Sequence, residues 1–192
     1  MVYIDDDIEQ ISLADIQNQL SPQRYEQAMR FRSERDRRLS VAAYLLLCCG
    51  LREEYGITEL PVFEYDSDGK PSIIGHPEIY FNLSHCRQAA VCVISDRPVG
   101  VDVERIRRYN SSLVRYTMND EEVRQIEESN HPEVEFIKLW TMKEALFKWR
   151  GTGINNEIKD VLVNSKPLQF TTVVNLQRQY IYSICQERDT DR

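Results

Sequence analysis

Apolar residues recur at three- and four-residue intervals along two long stretches of the chain, and this spacing predicts two long helices. The first is expected from about Glu34 to Tyr55, with Gly56 behind it as the residue that ends the helix. The second opens after Pro132, contains the stretch Phe136–Gly153, and stops at the glycines of its Gly-Thr-Gly end.

Shorter apolar runs predict strands. Ala89–Ser95 is almost continuously apolar, as in a strand that is buried on both faces, whereas Val99–Glu104 alternates valines with Gly100, Asp102 and Glu104. Together with Ile79–Leu83, these two segments are expected to form one small sheet. Further strands are expected at Val2–Ile4, Val62–Tyr65, Val161–Val163, Gln169–Leu176 and Tyr180–Cys185.

Polar capping residues predict several short helices. They are expected at Ser12–Leu20, from Ser21-Pro22 to about Phe31, from a cap at Ser111 or Ser112 to Tyr116, and after an Asn119–Glu122 capping box. The charged segment Glu187–Arg192 is expected to fray. The mixture of elements predicts an α+β fold, with closely packed halves at residues 1–105 and 106–192 and no linker between them.

Composition narrows the functional class. No apolar run reaches the roughly 18 residues of a membrane span, and the acidic start of the chain does not resemble a signal peptide. The five cysteines are odd in number and lack CxxC spacing, which favours free thiols in a reducing cytoplasm. A net charge of −7 argues against general nucleic-acid binding.

The positive charge is nevertheless concentrated in two places. Six arginines lie between Arg24 and Arg38, and Arg105, Arg107 and Arg108 form a second cluster. Each cluster fits either a solvated helix face or a site for a compact polyanion or an acidic partner.

Asp102 and Glu104 leave the same face of their strand, with Cα atoms about 6.5 Å apart. Two negative charges about 6 Å apart repel by roughly 3 kcal/mol at an effective dielectric constant near 20, and a cation between them reverses that cost. Magnesium, which prefers oxygen ligands and phosphate, is the natural candidate. The alternative is an ordinary acidic pair on an exposed sheet face.

Other polar residues add to this picture. Helical spacing places Trp140, Glu144 and Lys148 on one stripe, where the last two could equally be a solvated i,i+4 pair. Ser84 and His85 end a strand and are able to donate to a phosphate, and a basic group, Lys70, precedes a proline. Walker, GxGxxG, HExxH and Gly-x-Ser-x-Gly motifs are absent from the sequence.

Four of these groups form an ordered set of motifs: Gly-Lys-Pro at 69–71, Phe-Asn-Leu-Ser-His at 81–85, Val-Gly-Val-Asp-Val-Glu at 99–104, and Trp-x-x-Lys-Glu-Ala-x-x-Lys-x-x-Gly-x-Gly at 140–153. The set closely resembles the 4′-phosphopantetheinyl transferases of the surfactin-synthetase-activating type, over about Ser21 to Gly153. The last two motifs are the specific ones.

The resemblance implies a pseudo-dimer of two similar halves with the active site in the cleft between them. It implies transfer of phosphopantetheine from coenzyme A to a serine of an apo carrier protein, with magnesium and release of adenosine 3′,5′-bisphosphate. Asp102, Glu104 and Glu144 would bind the metal. The implied phosphate contacts are Arg24, Lys70, Ser84, His85, Lys148 and one arginine of Arg35–Arg38, which we take as Arg38.

Catalytic roles are implied for Glu144 as the base, directly or through water, for Lys148 at the leaving phosphate, and for His85. Gln27 stands where relatives carry a second lysine, so the grip on the 3′-phosphate is expected to differ. A monomer is expected, with Thr117-Met118 and the following helix as a docking edge for an acyl or peptidyl carrier protein.

Two other functions fit parts of the pattern. A catalytically degenerate regulator would bind coenzyme A or a carrier protein, although it would not need three metal-facing acids. A magnesium-dependent phosphodiester hydrolase would release free phosphopantetheine without a protein acceptor.

Overall fold

The computed structural model of the chain describes residues 1–14, 16–165 and 167–188 and has a mixed α+β fold. The first half contains β1 (Val2–Asp5), α1 (Pro22–Met29), α2 (Glu34–Tyr55), β2 (Phe63–Tyr65), β3 (Pro71–Ile73), β4 (Tyr80–His85) and β5 (Ala90–Ser95). The second contains β6 (Val99–Arg105), α3 (Ser111–Thr117), α4 (Asp120–Glu127), α5 (Pro132–Arg150), β7 (Leu168–Asn175) and β8 (Tyr180–Glu187).

Each half builds one three-stranded antiparallel sheet with a long helix against it. The first sheet has the order β1-β5-β4, and the second has the order β6-β8-β7. In both sheets, therefore, the last of the three strands in chain order lies between the other two. The strands β2 and β3 form a separate hairpin.

The expectation that three consecutive strands make one sheet is wrong. β6 follows β5 along the chain but pairs with β8, with Asp102 opposite Ser183. Both edges of β5 are already occupied by β1 and β4, so a third ladder on that strand is impossible.

Other local expectations also need correction. Residues 161–163 are turns, and the apolar side chain of Val161 is buried against α5. Ser12–Leu20 is not one helix: it contains a single 3₁₀ turn at Ile16–Gln19, and Asp15 lies outside the described residues. The N-cap of α3 is Asn110, whose side chain accepts from the Ser112 amide. Glu187 ends β8, and residues 189–192 lie outside the described part.

The two long helices are confirmed, and their ends have local causes. Gly56 and Gly151 adopt left-handed backbone angles, with φ of 69° and 79°, where a side chain would be strained. The predicted capping box of α4 is also present. Among the described residues, no helix is long and apolar enough to cross a membrane.

Gly100 sets the spacing between β6 and α5. A Cβ atom on Gly100 would overlap the carbonyl oxygen of Ala145 and the backbone nitrogen of Trp149, so the helix lies directly on the strand. The Trp149 indole nitrogen also donates to Pro98 O at 3.1 Å. This contact brings Glu144 and Lys148 of α5 to the face of β6 that carries Asp102 and Glu104.

Candidate active site

The candidate site lies where β4 of the first sheet meets the free edge of β6 in the second. The Val101 amide donates to Asn82 Oδ1 at 3.0 Å, and the Val103 amide donates to Ser84 Oγ at 3.2 Å. Asp102 lies between these two donors and is only 6% exposed. The acid is therefore held at the junction of the two halves.

Asp102 has one satisfied and one unsatisfied oxygen. Its Oδ1 accepts from Ser84 Oγ at 2.9 Å and from Lys148 Nζ at 2.8 Å, and Lys148 Nζ also donates to Ser84 Oγ at 2.9 Å. Its Oδ2 is buried and has no hydrogen-bond partner among the described residues. A buried carboxylate oxygen without a donor costs free energy, which a bound cation or donor would recover.

Glu144 and Glu104 add negative charge to this site. Burial, followed by the charge of Asp102, raises the pKa of Glu144 to about 7, and Lys148 partly opposes that rise. Burial and Asp102 likewise raise the pKa of Glu104. The raised pKa values and the unpartnered Asp102 oxygen fit a divalent cation, which would relieve the repulsion among the three acids. Within the described ranges, however, no three such side chains are already gathered as a metal-binding group.

A cavity of about 280 Å³ opens beside these residues, and Lys70, Asn82, Glu144, Lys148 and Gly153 are among its lining residues. Lys70 Nζ donates to Trp149 O at 2.7 Å and so joins the β2–β3 hairpin to the end of α5. Burial lowers the pKa of Lys70.

His85 and Arg24 form the basic side of the site. Burial and the nearby charges of Lys148 and Arg24 lower the pKa of His85, which contacts the Phe31 ring edge-on at 6.5 Å. Arg24 Nη1 donates to Gln27 Oε1 at 2.6 Å, and Nη2 donates to both the carbonyl and the hydroxyl of Ser40 at 2.7 and 2.8 Å.

Arg38 does not line the cavity. Its guanidinium pairs with Glu9 at 2.9 Å and with Glu34 at 2.6 Å, on the surface of α2. The neighbouring Arg37 donates to Phe31 O at 2.9 Å, next to the ring that contacts His85.

The sequence of the chain is similar to those of known proteins, and these similarities agree with the arrangement of residues in the candidate site. A family model for the 4′-phosphopantetheinyl transferase superfamily matches residues 98–191. The 4′-phosphopantetheinyl transferase HetI of Nostoc sp. is 30% identical over 172 residues, which cover 83% of this chain and 72% of HetI. The chain belongs to the 4′-phosphopantetheinyl transferase superfamily.

Two Bacillus relatives place the chain with the Sfp-like transferases. Psf-1 of Bacillus pumilus is 32% identical over 131 residues, or 67% of this chain. Sfp of Bacillus subtilis is 24% identical over 157 residues, or 80% of this chain. The matched part spans 56% of psf-1 and 70% of Sfp.

Two residues of this transferase-family chain have structural roles that the sequence analysis did not assign. Asn82 accepts the Val101 amide, and its place two residues before Ser84 on one strand is the signal that could have identified it. Lys143 is fully buried, with its Nζ 2.7 Å from Glu122 Oε2 and from the carbonyls of Ile158 and Lys159. Its position in an otherwise apolar helix stretch gave no indication of its partners.

Proposed function

We propose that this chain transfers the 4′-phosphopantetheine group of coenzyme A to a serine hydroxyl of an apo acyl or peptidyl carrier protein. Adenosine 3′,5′-bisphosphate is the second product. The observation that carries this proposal is Asp102, buried with one free oxygen and bound through the other to Ser84 and Lys148, beside an acid whose pKa is about 7. The transferase names of the relatives support the same reaction class.

In this proposal Asp102, Glu104 and Glu144 would hold magnesium beside the site of the coenzyme A diphosphate. When bound, the metal supplies positive charge that neutralises the diphosphate. The free Asp102 oxygen and the raised pKa values of both glutamates support this assignment.

The reaction itself exchanges one phosphorus–oxygen bond for another. The carrier serine oxygen bonds to the phosphorus that bears pantetheine, and the bond from that phosphorus to the bridging oxygen breaks. Glu144 accepts the serine proton directly or through water. Lys148 Nζ, one helical turn away, neutralises or protonates the departing phosphate.

The basic residues around the cavity would hold coenzyme A. We assign phosphate contacts to Arg24, Lys70, His85 and Lys148. They come from a helix, a loop and a strand end of the first half and from a helix of the second. Arg38 would contact a phosphate only after its ion pairs with Glu9 and Glu34 break. His85, with its lowered pKa, would act as a neutral hydrogen-bond donor.

A second basic surface would receive the carrier protein, which is acidic and helical. Arg105, Arg107 and Arg108 line a cavity of about 490 Å³ together with the partly exposed Leu113. Thr117 and Met118, expected from the sequence to form a docking edge, are only 2% and 1% exposed, so the proposed docking edge is limited to α4 and the arginine-lined surface. The repeated strand order of the two sheets supports a pseudo-dimer, which would act as a monomer. Because β6 pairs with β8 and so belongs to the second sheet, we place the boundary between the halves between β5 and β6 and not after residue 105, as the sequence had suggested.

Intact-mass spectrometry of an apo carrier protein, incubated with the chain, coenzyme A and magnesium, tests the proposal. The carrier should gain the mass of one phosphopantetheine, and EDTA should prevent the gain. Asp102→Ala and Glu144→Gln should abolish the transfer without unfolding the chain. Glu157→Gln is the matched control, because that carboxylate is 71% exposed and pairs with Arg150 at 3.3 Å, away from the acids of the site.

Three outcomes would contradict this assignment. Wild-type turnover by Asp102→Ala or Glu144→Gln would remove the assigned acids from the reaction. Coenzyme A binding without modification of any apo carrier would indicate a regulator. Loss of coenzyme A with no modified carrier would indicate a hydrolase.

A further inference from the structure

The contact between strands β4 and β6, here called the seam, is made through side-chain hydrogen bonds and not through a backbone ladder. β4 and β6 are both edge strands, and neither pairs with the other through its backbone. The amides of Val101 and Val103 instead reach Asn82 Oδ1 and Ser84 Oγ. All four residues are buried, at 7% exposure or less.

The spacing of these contacts defines a register. Donors two residues apart on β6 meet acceptors two residues apart on β4, and both pairs ascend in the same direction along the chain. A shift by one residue would turn the amides to the β8 side, because alternate amides of a strand point to opposite edges. A shift by two would move Asp102 by roughly 6.5 Å along the seam.

Ser84 has no hydrogen-bonding capacity left over. A hydroxyl offers one donor and two acceptor sites. Ser84 Oγ donates to Asp102 Oδ1 and accepts from the Val103 amide and from Lys148 Nζ. It therefore cannot donate to a phosphate without releasing Asp102.

We infer that Asn82 and Ser84 are positioning residues that set the register of the two halves and thereby hold Asp102 against Lys148. Asn82 fixes the strand on one side of Asp102, and Ser84 fixes both the strand and the carboxylate on the other side. The catalytic part of this inference rests on the proposed transferase function, whereas the register part does not. The phosphate contact expected of Ser84 from its sequence motif is the competing role, and the kinetic test distinguishes the two.

Site-resolved amide hydrogen exchange by NMR tests the register directly. In Asn82→Ala the Val101 amide should exchange at least tenfold faster than in the wild type, and in Ser84→Ala the Val103 amide should do so. The amides of β5 and of the β7–β8 ladder should stay within about threefold of their wild-type rates, because only the seam has lost a bond. Ser84→Thr, which keeps the hydroxyl, should restore the protection of Val103.

Thr172→Val is the matched control for loss of a single hydroxyl hydrogen bond. Thr172 Oγ1 lies 2.8 Å from Ser183 Oγ in the same sheet as β6 but two strands away from the seam. This variant should leave the Val101 and Val103 exchange rates unchanged. Unchanged exchange at these amides in the seam variants, or equal acceleration at every core amide, would overturn the register proposal.

Kinetics separate positioning from phosphate binding. In Ser84→Ala, kcat should fall at least tenfold while KM for coenzyme A changes less than threefold, and Ser84→Thr should recover most of kcat. A rise in KM alone, with Val103 still protected, would mean that Ser84 is a phosphate ligand. A wild-type chain without transferase activity would refute the proposed function, and the exchange experiment would still decide the register.

Discussion

The two halves share a strand order but differ in what their long helices bury. The face of α2 that covers the first sheet is apolar and includes Val41, Tyr44, Leu47 and Leu51. The helix α5 covers the second sheet, and it buries the ammonium group of Lys143 and the hydroxyl of Thr141 completely. Both helices bury hydroxyl groups, such as that of Ser40 on α2, but of the two helices α5 alone buries a charged side chain.

This difference shows how the chemistry is divided between the halves. On α5, Lys143 points into the core toward Glu122, whereas the partly buried Glu144 and Lys148 lie beside Asp102 of β6. The first half contributes acceptors and cations from strand ends and loops, such as Ser84, His85 and Lys70. The second half, which buries the charge of Lys143, therefore contains the acids of the proposed reaction centre, and the first half contributes residues around them.

The largest expected effect concerns Lys143. Its three ammonium protons meet Glu122 and two carbonyls at 2.7 Å, so Lys143→Met leaves a buried carboxylate and two carbonyls without their donor. Loss of one partner of a buried ion pair typically costs about 3–5 kcal/mol. Urea unfolding should show a decrease of that size in the free energy of unfolding.

The neighbouring Lys138 is the control on the same helix. It pairs with Glu135 at 3.0 Å on the surface, and Lys138→Met should cost less than about 1 kcal/mol. The double variant Lys143→Met/Glu122→Gln should regain part of the loss, because no charge is left unpaired. Equal costs for the two lysines would remove the contrast drawn between α5 and α2.

Gly100→Ala should rank second. The added methyl group would overlap backbone atoms of α5, which cannot move unless the whole helix shifts away from β6. We expect a loss of about 3 kcal/mol in urea unfolding, near the upper end for overpacked sites. Transfer activity should fall with it, because Glu144 and Lys148 would be displaced from Asp102.

The first half offers the corresponding test at Gly50, on α2. There a methyl group would meet only the side chains of Ile94 and Tyr3, which can rotate. Replacing glycine by alanine inside a helix also gains up to about 1 kcal/mol, so the net loss should be about 1 kcal/mol. A Gly50→Ala loss as large as that of Gly100→Ala would show that both helix–sheet contacts are equally rigid.

The third effect depends on pH. Glu144 has a pKa of about 7 in the folded chain and about 4.5 when unfolded, so the folded state binds its proton more tightly. The wild type therefore loses stability as the pH rises from about 4.5 through 7, and Glu144→Gln avoids that loss. In EDTA at pH 8 the variant should be more stable than the wild type by at least about 1 kcal/mol, after allowance for partial solvent exposure.

The same pair of proteins at pH 4 is the control, because Glu144 is then protonated in both states and the difference should vanish. Thermal or urea unfolding at several pH values measures the curve. A difference independent of pH would show that burial and the charge of Asp102 do not raise the pKa of Glu144, and the contrast between the halves would lose its electrostatic part.

The sequence was sufficient to predict those features of the fold that depend on contacts between residues close together in the chain. The bounds of α2 follow from its apolar spacing and from Gly56, and the alternation of Val99–Glu104 correctly separates the valine face from the acidic face. Caps and turns involve neighbours a few residues away. They are therefore readable from short stretches of sequence.

The parts that failed depend on partners far along the chain. The pairing of β6 with β8 joins residues about eighty positions apart, and no short pattern records it. Burial of Lys143 depends on Glu122 and on carbonyls of a later loop. The pattern of apolar residues around Lys143 therefore does not indicate that its charge is buried. The convergence of Ser84, Asp102 and Lys148 was inferred from motif resemblance, and spacing alone could not have given it.

The smallest expected effect concerns a further contact between the halves, in which Tyr180 meets Asp6. It allows a comparison with the buried seam between β4 and β6. Tyr180 of β8 donates its hydroxyl hydrogen to Asp6 Oδ2 at 3.2 Å, just after β1, and Arg178 approaches the same oxygen at 3.9 Å. Tyr180→Phe removes one partly buried hydrogen bond and should cost about 1 kcal/mol or less in urea unfolding. Arg178→Ala, at an exposed side chain, should change stability by less than about 0.5 kcal/mol.

Neither substitution should alter the exchange of the Val101 and Val103 amides, because the register of β6 against β4 is held by Asn82 and Ser84. Transfer activity should likewise stay within about twofold of the wild type, a change in rate equivalent to less than about 0.5 kcal/mol. Accelerated exchange at the seam in Tyr180→Phe would mean that the two junctions act together. In that case the position of Asp102 would depend on the whole interface between the halves, and Asn82 and Ser84 would lose their special role.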